Sequence, residues 1–300
     1  MKKGYDIALG VAIGVVVTSL VFTKWYEDMA HDQYKPLLNK INDGGGAQID
    51  CTMSSSISWQ NSGLENNEKG HIEAGYEAII SGDRSKLLDF LFLLRTHPSP
   101  TEFLVYKLLN ANYSEQRILL DALSLEDEGL KLTVLNSLFR EGTSQAVDLA
   151  LDIVKNHHFS STSLEVEALL IEQSYHMEKP THIADIARLL NLRSAQAHKK
   201  EEIAQRMETL LLYQNPDIQV QAIAGITLYG SQLSLVSAIE KLLSQPDLAL
   251  RRAAIQAMYS VEPSWLHSNL IHEVEHIAAN SSQENSLQKL AEDILDFHGL

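Results

Sequence analysis

The chain has 300 residues, enough for one large or two ordinary domains. At 45% hydrophobic and 21% charged, with seven prolines and 15 glycines, it is globular and leans towards helix. Its net charge of −15 argues against nucleic acid, which needs a Lys/Arg surface, and its single cysteine, Cys51, excludes an internal disulfide and a Cys-based zinc site.

Read from the N-terminus, Met1-Lys2-Lys3 precedes the uncharged run Ile7 to Phe22. With Tyr5 before it and Trp25-Tyr26 after it as interfacial aromatics, residues 7–23 are long enough to anchor the chain in a bilayer. The following "VFTKWYED" lacks an Ala-x-Ala cleavage site, so the segment is expected to remain as an anchor. Lys2 and Lys3 place residues 1–6 in the cytoplasm and the bulk of the chain across the membrane, in the periplasm of a Gram-negative cell. Gly10 and Gly14 have the G-x-x-x-G spacing that lets two such helices approach as a homodimer. Residues 24–70, rich in Gly, Ser and Asn after Pro36, read as a linker, in which Trp59 stands out as a large apolar side chain.

From His71 to the C-terminus apolar residues recur at i, i+3, i+4 and i+7, through "RSKLLDFLFLL", "GLKLTVLNSLF" and "EEIAQRMETLLL" among others. Breaks at Pro98-Ser99-Pro100-Thr101, Pro180-Thr181, Asn215-Pro216-Asp217 and Gln245-Pro246-Asp247 punctuate the pattern, and no stretch has a sustained period of two. The expected fold over 71–300 is all-α. The helices also repeat. Val220-Gln221-x-x-Ala224 lines up with Leu250-Arg251-x-x-Ala254 and with Leu287-Gln288-x-x-Ala291, and fainter copies start at Leu130 and Leu164. Pro-Asp stands four residues ahead in the two clearest copies, and "LSLVSAIEKLLSQ" supplies a second helix between them. This pattern resembles the HEAT repeat family. The resemblance implies a solenoid of about six to seven helix pairs, each too thin to bury its apolar face alone. It also implies that second helices line an inner surface, with Gln232, Ser234, Ser237, Lys241, His267, His272, Glu273 and His276 as candidate contacts for a protein partner.

One stretch points elsewhere. His272-Glu273-Val274-Glu275-His276 spells H-E-x-x-H, the zinc signature of many metallopeptidases. On a helical wheel, Leu270, Ile271, Val274, Ile277 and Ala278 form the core stripe, and both histidines fall on the opposite face. A zinc site needs a third ligand, and Glu292 lies on the next helix in the repeat. The expectation is a solvated helix face on a protein-binding scaffold, with a membrane-bound peptidase using His272, Glu273 and His276, and a cytoplasm-facing adaptor of inverted topology, as the rivals. His157, His158, His176 and His182 are expected at the surface or as caps, and Glu126-Asp127-Glu128 at a helix start. The sequence contains no cofactor fingerprint, so no cofactor or enzyme activity is expected.

Overall fold

The computed structural model of the chain describes residues 66–97, 99–156, 163–193, 197–280 and 285–300. The chain divides between residues 54 and 55, and all of these belong to the second unit. The expected anchor over 7–23, the Gly10/Gly14 pair, residues 24–65 of the expected linker, and His157 and His158 lie outside the described residues. Among the described residues no helix is long and apolar enough to cross a membrane.

The described fold is all-α and its helices pack in repeat-like fashion. The helices are α1 (Asn66–Ile80), α2 (Leu87–Thr96), α3 (Pro100–Asn110), α4 (Tyr113–Ser124), α5 (Glu128–Glu141), α6 (Ser144–Lys155) and α7 (Leu164–His176). They continue as α8 (Pro180–Leu192), α9 (Lys200–Leu210), α10 (Pro216–Tyr229), α11 (Gln232–Leu243), α12 (Leu248–Ala257), α13 (Ser268–Ala279) and α14 (Asn285–His298). The first helix starts at Asn66, earlier than the linker boundary expected at residue 70.

Consecutive helices pack as hairpins, α1 on α2, α3 on α4, and so on to α13 on α14. The hairpins stack through helices two places apart. One row runs α3–α5–α7–α9, and the other runs α6–α8–α10–α12–α14. The core is the continuous apolar seam between the rows, from Ile72 and Tyr76 through Leu138, Leu170, Met207 and Ile239 to Ile294. Prolines start helices here because the first turn needs no donor from them: Pro100, Pro180 and Pro216 all stand in first turns.

Caps set the register, and they correct the repeat alignment. Asn215 caps α10 through the Ile218 amide, and Asp247 caps α12 through the Leu250 amide. Ile218, Ala222 and Ile226 therefore occupy the places of Leu250, Ala254 and Met258, all buried. The alignment of Val220 with Leu250 is displaced by two residues. The Pro-Asp pair misleads because it plays two parts: Pro216-Asp217 lies inside the first turn, whereas Pro246 precedes the cap at Asp247. The copy at Leu164 is displaced in the other direction, since Ser163 caps Val166, and Leu164 is exposed. Leu287, Ala291 and Ile294 are buried in register with Leu250, Ala254 and Ala257. The fainter copies, on α5 and α7, also belong to the opposite row from the three clear ones.

Polar side chains tie each hairpin to the next. Lys107 binds Glu73 at 2.6 Å, Arg95 binds Glu126 at 2.9 Å, and Gln145 donates to the Leu109 carbonyl at 3.0 Å. A glutamine in the first turns of a helix donates to the end of the preceding helix in three cases. Gln116 reaches the Leu108 carbonyl at 2.8 Å, Gln219 that of Leu211 at 3.1 Å, and Gln288 that of Ala278 at 3.0 Å. These carbonyls have no acceptor role inside their own helices, so the bonds satisfy groups that would otherwise be stranded.

Candidate functional site

The H-E-x-x-H stretch occupies the middle of α13. Leu270, Val274 and Ile277 are buried, while His272 and His276 are exposed. The His272 side chain is 84% exposed, and its Nδ1 lies 2.9 Å from Glu275, one turn on. Glu275 is the charged residue that sits where a metallopeptidase helix carries an uncharged one. Among the described residues no group of three or more His, Cys, Asp or Glu side chains is placed to hold a metal ion.

The other candidates divide by what they touch. Gln232 donates to the Ser260 carbonyl at 3.1 Å and accepts from the Glu262 amide at 3.0 Å, fastening the start of α11 to the connection before α13. Lys241 donates to the Leu211 carbonyl at 3.0 Å, the same oxygen that Gln219 reaches. His267 caps α13 through the Leu270 amide and lies 3.0 Å from Glu240. Ser234 is half-buried beside the capping hydroxyl of Ser231. Gln232, Lys241 and His267 hold the stack together, whereas Ser234 bonds to Ser231 at the start of its own helix. Ser237 and His276 are exposed, Glu273 is half-buried, and none of the three makes a side-chain hydrogen bond to another described residue.

A groove of about 680 Å³ opens at the ends of α5 and α7 and the starts of α6 and α8. Its lining includes Asn136, Arg140, Gln173, His176 and Lys179, with Phe139, Val147 and Met177 forming an apolar floor. His182 closes one side. It is 4% exposed and not at the surface as expected, and its Nε2 meets Asp148 at 2.9 Å. Lys179 reaches the Ser144 hydroxyl at 3.0 Å across the same wall. The groove thus has an apolar base, a polar rim of both charge signs, and walls fixed by bonds between hairpins.

No protein-family model matches the chain, and neither does any curated protein. Among solved structures, the crystal structure of an engineered protein is similar, at a TM-score of 0.35 and 16% identity over 81% of this chain and 94% of that one.

Two buried charges escape a sequence reading. Arg206 is 1% exposed, donates from Nε to the Ser174 hydroxyl at 2.7 Å and from Nη2 to the Ser174 carbonyl, and lies 3.9 Å from the centre of the Tyr175 ring. A cation at the carboxyl end of α7 is favoured by the helix dipole, and the tyrosine face adds a second attraction. Glu167 is fully buried and accepts the His198 and Lys199 amides at 2.9 and 3.2 Å. It caps α9 from a helix away, where Lys199 offers no cap of its own. Both had a signal in the pattern. Arg206 stands between Ile203, Met207 and Leu210 on an apolar stripe, and Glu167 sits beside Val166 and Leu170 on another.

Proposed function

We propose that this chain is a membrane-tethered scaffold for protein–protein interaction, not an enzyme, built as a HEAT-like solenoid. In this reading residues 7–23 anchor it in a bacterial inner membrane with the N-terminus in the cytoplasm. A tether up to α1 then holds the helical unit in the periplasm. A lipid bilayer and one or more protein partners are its ligands, with pairing of anchors through Gly10 and Gly14 as a route to a homodimer. The acidic balance of −15 disfavours nucleic acid as a partner.

The observation that carries this reading is the open groove on a stack whose polar bonds otherwise serve its own cohesion. A two-row stack offers a long surface, and clefts between its hairpins suit short apolar segments of a partner. Gln173, His176 and Met177 on the groove, with Ser237 on α11 and Glu273 and His276 on α13, form the proposed contact set. A photo-crosslinking residue in place of Gln173 or His276 tests it in cells. The expected result is capture of the same protein from both positions. Capture of nothing from either position would sink the scaffold reading. Reporter fusions after Leu300 test the topology, with activity expected from a periplasm-dependent reporter and none from a cytoplasm-dependent one.

A further inference from the structure

The described stack begins with an uncovered apolar face. Leu88 and Phe92, one turn apart on α2, are 75% and 66% exposed. Arg95 shares their side of the helix and binds Glu126, and the neighbour of Glu126, Leu125, is itself 56% exposed. A terminal hairpin in a stack needs a polar outer face or a cover. The last helix of this chain exposes Lys289, Glu292, Asp293 and Asp296 beside Phe297. On α2, Asp89 and Thr96 are exposed next to Leu88 and Phe92, and among the described residues the apolar pair stays uncovered.

We propose that the cover is the chain's own residues 57–64, with Trp59 laid across Leu88 and Phe92. This inference goes beyond the scaffold reading and does not depend on it. Three observations select this occupant. The segment leads straight into α1 at Asn66, and α1 packs on α2 as a hairpin, so it enters beside the end of α2 that carries Phe92. Six residues lie between Trp59 and Asn66, and the seven steps from one to the other span up to about 23 Å, more than the roughly 15 Å length of α2. The third is composition. Residues 55–64, SSISWQNSGL, carry no charge that burial would strand, and Ile57 and Trp59 alternate with serines, as a strip with one apolar side requires.

The experiment uses the full chain with Cys51→Ser, so that only introduced thiols react. Trp59→Cys is combined with Phe92→Cys and treated with a short bismaleimide, beside a control that combines Trp59→Cys with Leu233→Cys on α11. The expected result is a crosslink within one chain for the first pair and little for the control. Equal yields in both pairs would overturn the proposal, as would crosslinked dimers through Phe92→Cys, which assign the face to a second copy. Protection of the Phe92→Cys thiol only when vesicles are present assigns it to lipid and also overturns it. A second measurement leaves the face intact for folding. In a Trp25→Phe, Trp265→Phe background, Trp59 emission is expected to be blue-shifted and to move to the red with Phe92→Ser. Emission at the solvent-exposed wavelength in both proteins would refute the docking.

Discussion

The two ends of the helical stack are built from different materials. At the first end, rings dominate: Tyr76 meets Phe103 edge-on at 6.1 Å, Phe90 lies 6.3 Å from Phe103, and the Lys107 ammonium sits 4.4 Å from the Tyr76 ring centre. At the last end the buried seam is small and aliphatic, with Ala253, Ala254, Ala257 and Ala291 buried around Leu287 and Ile294, and the rings, Tyr259 and Phe297 meeting edge-on at 5.0 Å, lie outside it. On α14 the charged side chains Lys289, Glu292, Asp293 and Asp296 are exposed. Rings fill the first end, and Leu88 and Phe92 on α2 are left exposed. The comparison teaches that a repeat fold can share one stacking rule and still close its ends by different means.

Removing α14 breaks the comparison most severely. A chain ending at Asn280 uncovers Leu270, Val274 and Ile277 and loses the burial of Leu287 and Ile294, a loss on the order of 5 kcal/mol. Thermal unfolding and gel filtration are expected to show a lower midpoint and association. A truncated chain that stays monomeric and equally stable would mean that α14 does not cap the seam. At the other end, Phe103→Ala removes the ring that Tyr76 and Phe90 share, at a cost of about 3–5 kcal/mol in a denaturant titration.

Both ends carry a pH response at a tyrosine: at the last end burial, and then the charge of Asp293, push the Tyr259 phenol up, and at the first end the shift is large. Burial, and then the charges of Glu115, Glu77 and Glu73, push the Tyr76 phenol from its ordinary 10 up to about 12. Between those values the unfolded chain releases this proton while the folded chain keeps it. Stability is therefore full below pH 10 and falls as pH rises towards 12. Tyr76→Phe is expected to flatten that part of the stability profile, and an unchanged slope would locate the response elsewhere. The glutamine bonds sharpen the comparison further. Gln116→Ala near the first end and Gln288→Ala at the last are each expected to cost about 1 kcal/mol, the worth of one bond to a helix-end carbonyl. Unequal losses would show that one end depends on its clamp more than the other. Smallest of all, His272→Ala is expected to change stability by less than about 0.5 kcal/mol, with no loss of midpoint on adding a chelator. Stoichiometric zinc removed by His276→Ala would reverse that expectation and revive the peptidase reading.

Much of this was legible in the sequence. Apolar periodicity located the helices, the proline breaks marked their starts, and the wheel placed His272 and His276 on the open face of α13. Register was not legible, because Ser163 and Asn215 compete with nearby Leu164 and Pro216-Asp217 as landmarks, and only the hydrogen bond shows which residue caps. The row assignment was also hidden, since α10 packs on both α9 and α11 and a sequence cannot rank the two contacts. Within the candidate site, exposure was readable and commitment was not. Gln232, Lys241 and His267 look like free surface groups until their partners 27 to 30 residues away in sequence appear. His182 was misjudged for the same reason, because its partner Asp148 lies 34 residues upstream.

Those separations carry a consequence for how such a chain can change over time. The side-chain bonds between hairpins span similar distances along the sequence: 34 residues for Lys107 and Glu73, 31 for Glu167 and His198, 32 for Arg206 and Ser174, 30 for Asn191 and Gln221. Each hairpin is addressed to its neighbour and not to a distant partner. Duplicating one hairpin with its connection would therefore give every inherited bond a partner at its accustomed spacing. Deleting half a hairpin would throw all later bonds into the wrong row. Gene duplication in steps of one hairpin is the route by which the length of this stack can grow or shrink without renegotiating its core.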